Sequence, residues 1–199
     1  MHFTRAVFLI AALFATPAVA QEEQVPPGFT MERTGGEHDF AYFEGAWTTM
    51  QHRLRTRFPP GANDWEDFPG TLCAVPYLEG RASVDELYFP TRDHAGFTLR
   101  LFDRERRQWS IYWVNSTNGR LDPIPVVGGF QGNRGEFYAR DQFEGRPIKV
   151  RYLWTIIDQN HARWEQAFSF DDRTWETNWT ADFTRADAAT LCENGQPRR

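Results

Sequence analysis

Few residues in this chain have both the type and the setting to do chemistry. Of five histidines, His52 lies within a strand-like run; His2 is at the extreme N-terminus, and His38, His94 and His161 sit among turn residues. An imidazole that meets a carboxylate gains basicity and becomes a proton-transfer pair. The acid would come from residues 80–89, where Val84, Glu86 and Tyr88 alternate against Ser83, Asp85, Leu87 and Phe89. Either register carries one carboxylate inward. Glu86 is the candidate partner of His52, with Asp85 as the alternative, and the chemistry would be isomerisation, cyclisation or hydration. The same runs offer a binding pocket instead. Asn115 shares a face with Trp113, Tyr152 with Trp154 and Gln166 with Trp164; Trp179 joins them from the last strand, and Trp47, Met50 and Leu54 come from the stretch that holds His52. Mostly apolar walls with a few polar groups are the make-up of a small-molecule site.

Other chemistries find less support. No H-x-H, H-E-x-x-H or C-x-x-C spacing occurs, so neither a dedicated metal site nor a cofactor is expected. Ser110 and Ser116 lie in no G-x-S-x-G elbow, and Gly128-Gly129 opens no helix, so neither a serine nucleophile nor a phosphate loop is expected.

The elements that must position these residues are strands. Runs at 46–58, 65–76, 80–89, 96–103, 107–115, 125–131, 134–143, 147–157, 161–170 and 174–184 are separated by turn signals such as Pro59-Pro60-Gly61, Gly132-Asn133 and Glu144-Gly145. No long helical periodicity intervenes. Residues 38–185 therefore predict an all-β domain, an antiparallel up-and-down barrel of about ten strands, because closing a meander removes its edges. His38 to Phe43 predicts a short helical turn whose Phe40 and Phe43 close one end. Trp175, Thr177, Trp179, Ala181 and Phe183 share one face of the last strand, and such aromatic faces are expected to look inward.

The stretch FEGAWTTMQHRLRTRF, residues 43–58, sets the sharpest question of register. A regular strand with Trp47 inside would also turn Arg53, Arg55 and Arg57 inward, and unpaired buried guanidiniums are costly. A one-residue bulge near Thr48-Thr49 removes that cost and brings Met50, His52 and Leu54 inside. That register is the one expected.

At the scale of the whole chain, residues 1–20 resemble a cleavable export signal. Arg5 precedes a short apolar run, and Ala18-Val19-Ala20 fits a small-x-small site with cleavage after Ala20. The apolar run is too short for a lasting membrane span, so a periplasmic or secreted location is expected. Residues 21–37 are expected as a flexible leader and 186–199 as a polar tail. The formal net charge of −5 argues against a phosphate-tracking nucleic-acid binder. Cys73 and Cys192 are the only cysteines, and in an oxidising compartment they are expected to pair.

An aromatic turn before Gly45-Ala46-Trp47, a meander, and Arg185 closing Asp182-Phe183-Thr184-Arg185 together resemble the calycin superfamily of lipocalin-like barrels. The phrases LRLFDRERRQWSIYWVNS, GRPIKVRY and RWEQAFSFDDRTWETNW are similar to an uncharacterised bacterial lipocalin-like family, from about His38 to Arg185. The resemblance implies a fold, with Trp47 inside the closed end and Arg185 (or Arg173) across it. It implies no catalytic residue.

The leading expectation is thus an exported binder of a small apolar or aromatic ligand. A proton-transfer enzyme built on His52 is the alternative. A docking module using the Arg53, Arg55, Arg57 stripe is a third reading.

Overall fold

The protein, seen in a computed structural model, is described here over residues 23–92 and 94–199, so the expected export signal lies outside the described residues. Thirteen strands follow one another. They are β1 Gly45–Leu54, β2 Trp65–Tyr77, β3 Ala82–Phe89, β4 His94–Asp103, β5 Gln108–Asn115, β6 Arg120–Leu121 and β7 Val126–Gln131. Then come β8 Arg134–Phe143, β9 Arg146–Ile156, β10 His161–Ser169, β11 Glu176–Ala186, β12 Cys192–Glu193 and β13 Gln196–Pro197. Ten of them close an antiparallel barrel: each pairs with its neighbour, β4 meets β5, and β11 returns to β1. The two-residue β6 only extends the pairing at one end of β5.

One end is sealed by aromatic rings. Ala41–Phe43 form a 3-10 turn that drops Phe40 and Phe43 into the lumen. Phe43 stacks 5.4 Å from Trp47 and meets Trp154 and Phe183 edge-on, while Phe40 meets Trp109 at 5.0 Å. Each well-placed ring pair contributes roughly 0.5–1.5 kcal/mol beyond area burial. The indole donors are satisfied locally: Trp47 Nε1 donates to Phe43 O at 2.9 Å and Trp109 Nε1 to Gly36 O at 2.8 Å. Arg185 lies across the seal, 4.1 Å from the Trp47 ring, and donates to the carbonyls of Tyr42 and Glu44.

The segment before the barrel, over its described residues, is laid against the outer wall. Glu23 pairs with Arg140 and Lys149, Phe29 packs on Tyr138, and Arg33 reaches Glu136 at 2.6 Å. Gly129 permits the closest approach, since a Cβ there would sit 2.5 Å from Gly35 N. The C-terminal segment is held on the opposite wall. After the short helix α1 (Ala188–Leu191), a disulfide joins Cys192 to Cys73 with the Cα atoms 6.1 Å apart.

The register of β1 differs from the expected one. β1 pairs without a bulge against both β2 and β11, and Trp47, Thr49, Gln51 and Arg53 face the lumen. Met50 is half exposed on the outside. The irregularity sits in β11 instead, where Gln166 pairs with Trp179 but Ala167 with Thr177, leaving Asn178 as the extra residue. The face therefore reverses there. Trp179, Ala181 and Phe183 stay inside, whereas Trp175, expected inside, lies outside and donates to Pro27 O at 2.7 Å.

Candidate ligand cavity

Above the aromatic seal the barrel holds a cavity of about 580 Å³ that opens at the other end. Its middle is walled by aliphatic side chains, Leu72, Leu87, Ile111, Ile148 and Val150, and by Trp113, Phe168 and Phe183. Tyr152 and Trp179 both meet Trp164 edge-on, at 5.0 and 5.6 Å, which makes a continuous aromatic wall across three strands. Strand alternation on β9, β10 and β11 puts these rings on one surface.

Polar groups occur at three depths. On the floor, Asp85 and Arg100 form a salt bridge, both almost completely buried. Arg100 stands 4.9 and 5.1 Å from the rings of Phe40 and Phe43. Burial pushes the Asp85 carboxyl up, and Arg100 pulls it back. Asp85 Oδ1, Arg100 Nε and the neighbouring Trp154 Nε1 have no protein hydrogen-bond partner, so the floor can take a polar atom or water. At mid-depth, Gln51 accepts from Trp179 Nε1 at 2.9 Å and donates to Thr49 Oγ1 at 2.8 Å, while Gln166 donates to Asn178.

The mouth is cationic on one side. Glu66, almost buried, receives Arg53 and Arg55 at 2.9 Å and Arg92 at 2.8 Å. Burial raises its pKa, but the bonds from Arg92, Arg55 and Arg53 prevail and hold it at about 2. Arg57 lies over Trp179, Phe168 and Phe143 at 5.5, 5.9 and 6.0 Å. Burial and the charge of Arg53 bring its pKa down to about 10. His94, beside them, is pushed down by burial and by Arg53 and Arg92. Asp122 and Asp141 are on the same lining, where they and Arg57 act on the buried Tyr152 phenol, and partial burial with the nearby Asp141 raises the Asp122 carboxyl.

Of the residues expected from sequence, Trp113, Asn115, Tyr152, Trp154, Gln166 and Trp179 line this cavity. Trp47 belongs to the seal, and Leu54 is buried away from the lining. His52 is not inside. It stands on the outer wall, stacked 4.2 Å from Trp65 and 2.6 Å from Asp67. Glu86 also points outward, where Arg199 meets it at 2.6 Å, so the inward acid of β3 is Asp85. The His52–Glu86 acid–base pair is thereby ruled out. The physical reason is that β1 can stay regular: Thr49 and Gln51 satisfy one another, and Arg53 reaches Glu66 at the rim. The supposed arginine stripe is split too, with Arg55 in solvent and Arg53 and Arg57 turned to the mouth.

Arg100, Arg53 and Arg57 are the lining side chains that the sequence does not disclose, and Asp85 is expected from it only as the alternative to Glu86. Asp85 was one of two registers, and Leu87 and Phe89 on its face were the available signal. Arg100 had none in hydrophobicity, because β4 turns Phe97 and Leu101 to the outside, where both are exposed. Among the described residues, no three of His, Cys, Asp and Glu converge as a metal-binding group.

No known family profile matches the chain, and no curated protein matches it. Among solved structures it is similar to a protein of unknown function of the DUF3598 family from Nostoc punctiforme. The identity is 10%, over 77% of this chain and 100% of that one, with a TM-score of 0.23. That likeness is too slight to carry an argument about either fold or activity.

Proposed function

We propose that the protein is an exported, lipocalin-like binder that takes a small molecule with an apolar or aromatic body into its barrel. The observation that carries this reading is the cavity itself, about 580 Å³, closed below by rings, open above, and walled by indoles. That volume lies within the usual range for small-molecule pockets, roughly 300–1,000 Å³. The lipocalin-like part rests on Trp47 inside the sealed end with Arg185 across it. Export is supported by the signal-like residues 1–20 and by the Cys73–Cys192 bond, which suits an oxidising compartment. The proton-transfer alternative loses its base with His52 on the outer wall.

The test is uptake of a neutral aromatic probe, N-phenyl-1-naphthylamine, followed by quenching of tryptophan emission from Trp113, Trp164 and Trp179. Saturable uptake is expected, and Ala181→Trp, which fills the lumen beside Phe183, is expected to abolish it in a protein that remains folded by circular dichroism. A folded wild type that takes up no probe sinks the reading. Native mass spectrometry of protein from its own host would then identify the ligand as added mass.

A further inference from the structure

We propose that the ligand is an organic anion, its carboxylate, sulfonate or phosphate seated at the barrel mouth on Arg57 and Arg53 with its apolar body below. The inference rests on the binding reading above and names the ligand class for that same cavity.

Four guanidiniums gather at one side of the mouth, and one carboxylate serves them. Glu66 already receives Arg53, Arg55 and Arg92. Arg57 makes no ion pair with any described carboxylate; its contacts are the faces of Trp179, Phe168 and Phe143. A partly buried cation held over rings has lost some of its water without gaining a hydrogen-bonded counter-ion, and that is a standing cost. The depressed pKa of Arg57 has the same origin, burial first and then Arg53. An anion arriving from solvent removes the cost, because a guanidinium offers a planar fork to a carboxylate, sulfonate or phosphate.

Position decides where the anion goes. The deeper cation, Arg100, is already neutralised by Asp85, so a second anion on the floor would meet a carboxylate. Asp122 and Asp141 also line the cavity and, like Arg57, act on the buried Tyr152 phenol, but neither pairs with Arg57, whose ionised neighbours are Arg53 and Glu66. An anion is repelled from the two aspartates and collected beside Arg57. Trp179 and Phe168 then lead directly from the charged group to the aromatic wall, so head and body are bound by adjoining surfaces.

The experiment compares two probes on one scaffold: the anionic 1-anilinonaphthalene-8-sulfonate and the neutral N-phenyl-1-naphthylamine. The anion is expected to bind about tenfold tighter or more, the worth of one charge-assisted hydrogen bond, and to weaken as salt rises. Arg57→Met is expected to weaken the anion far more than the neutral probe and so to remove that preference, and Arg57→Lys to restore part of it. If the neutral probe enters while the anion shows neither preference nor salt dependence, this proposal falls and the cavity reading stands. If Arg57→Met weakens both probes equally, Arg57 is structural and the proposal falls. If neither probe enters the folded protein, both readings fall. Should Arg57→Met not fold, the wild-type preference and its salt dependence decide alone.

Discussion

Asp85 and Arg100 are the side chains whose burial most needs a partner. Removing one of a buried pair strands the other, at a cost of about 3–5 kcal/mol, whereas replacing both by apolar residues of similar size is often neutral. Asp85→Asn and Arg100→Met are therefore each expected to lower the denaturant midpoint sharply, and Asp85→Leu with Arg100→Met to recover most of the loss. A double replacement as damaging as the two singles added together would refute this account. The pair also marks the limit of what residue types disclose. Alternation placed one carboxylate of β3 inside, but no local rule turns an arginine inward while Phe97 and Leu101 face water. That preference is written in β3 and β4 jointly. For His52, the rule that guanidiniums avoid interiors misleads, because a barrel strand ends at a rim and Arg53 meets Glu66 there.

Among the elements, β1, β2 and the β3–β4 turn are tied at the mouth through Glu66, the common partner of Arg53, Arg55 and Arg92. Its pKa of about 2 in the fold lies below the ordinary 4.5. The contribution is therefore complete above pH 4.5 and is lost as pH falls from there toward about 2. Glu66→Gln is expected to be less stable than the wild type at neutral pH and to lose less further stability across that window, read by acid titration of tryptophan emission. Equal slopes for the two proteins would discount the cluster. The strands themselves were legible: ten runs were expected and ten close the barrel, with small shifts such as β1 stopping at Leu54. The bulge was not located correctly. A single extra residue leaves period-two patterns readable on either side, and only the cross-strand partners of β10 put it at Asn178.

For the molecule as a whole, the Cys73–Cys192 link closes a loop of 119 residues between the barrel and the tail. On the chain-entropy account that is worth about 5 kcal/mol. Cys73→Ala with Cys192→Ala is expected to lower unfolding free energy by up to that amount and to loosen Arg199 from Glu86, measured by denaturant titration and by proteolysis of the tail. A midpoint unchanged by the double substitution would mean that the tail is held by its other contacts. The pairing was foreseeable from the count of two cysteines; the strapping of residues 23–37 to the outer wall was not, because polar composition says nothing of complementary charges on distant strands.

The pairing of β1 with β11 joins strands from near the two ends of the chain. Contacts between such distant segments are slow to form, since loop closure must precede any reward from the contact. On a ribosome, the chamber cannot exist until β11 has emerged, and β1 waits until then with one edge unpaired. The seam that completes the wall therefore also acts as a timer.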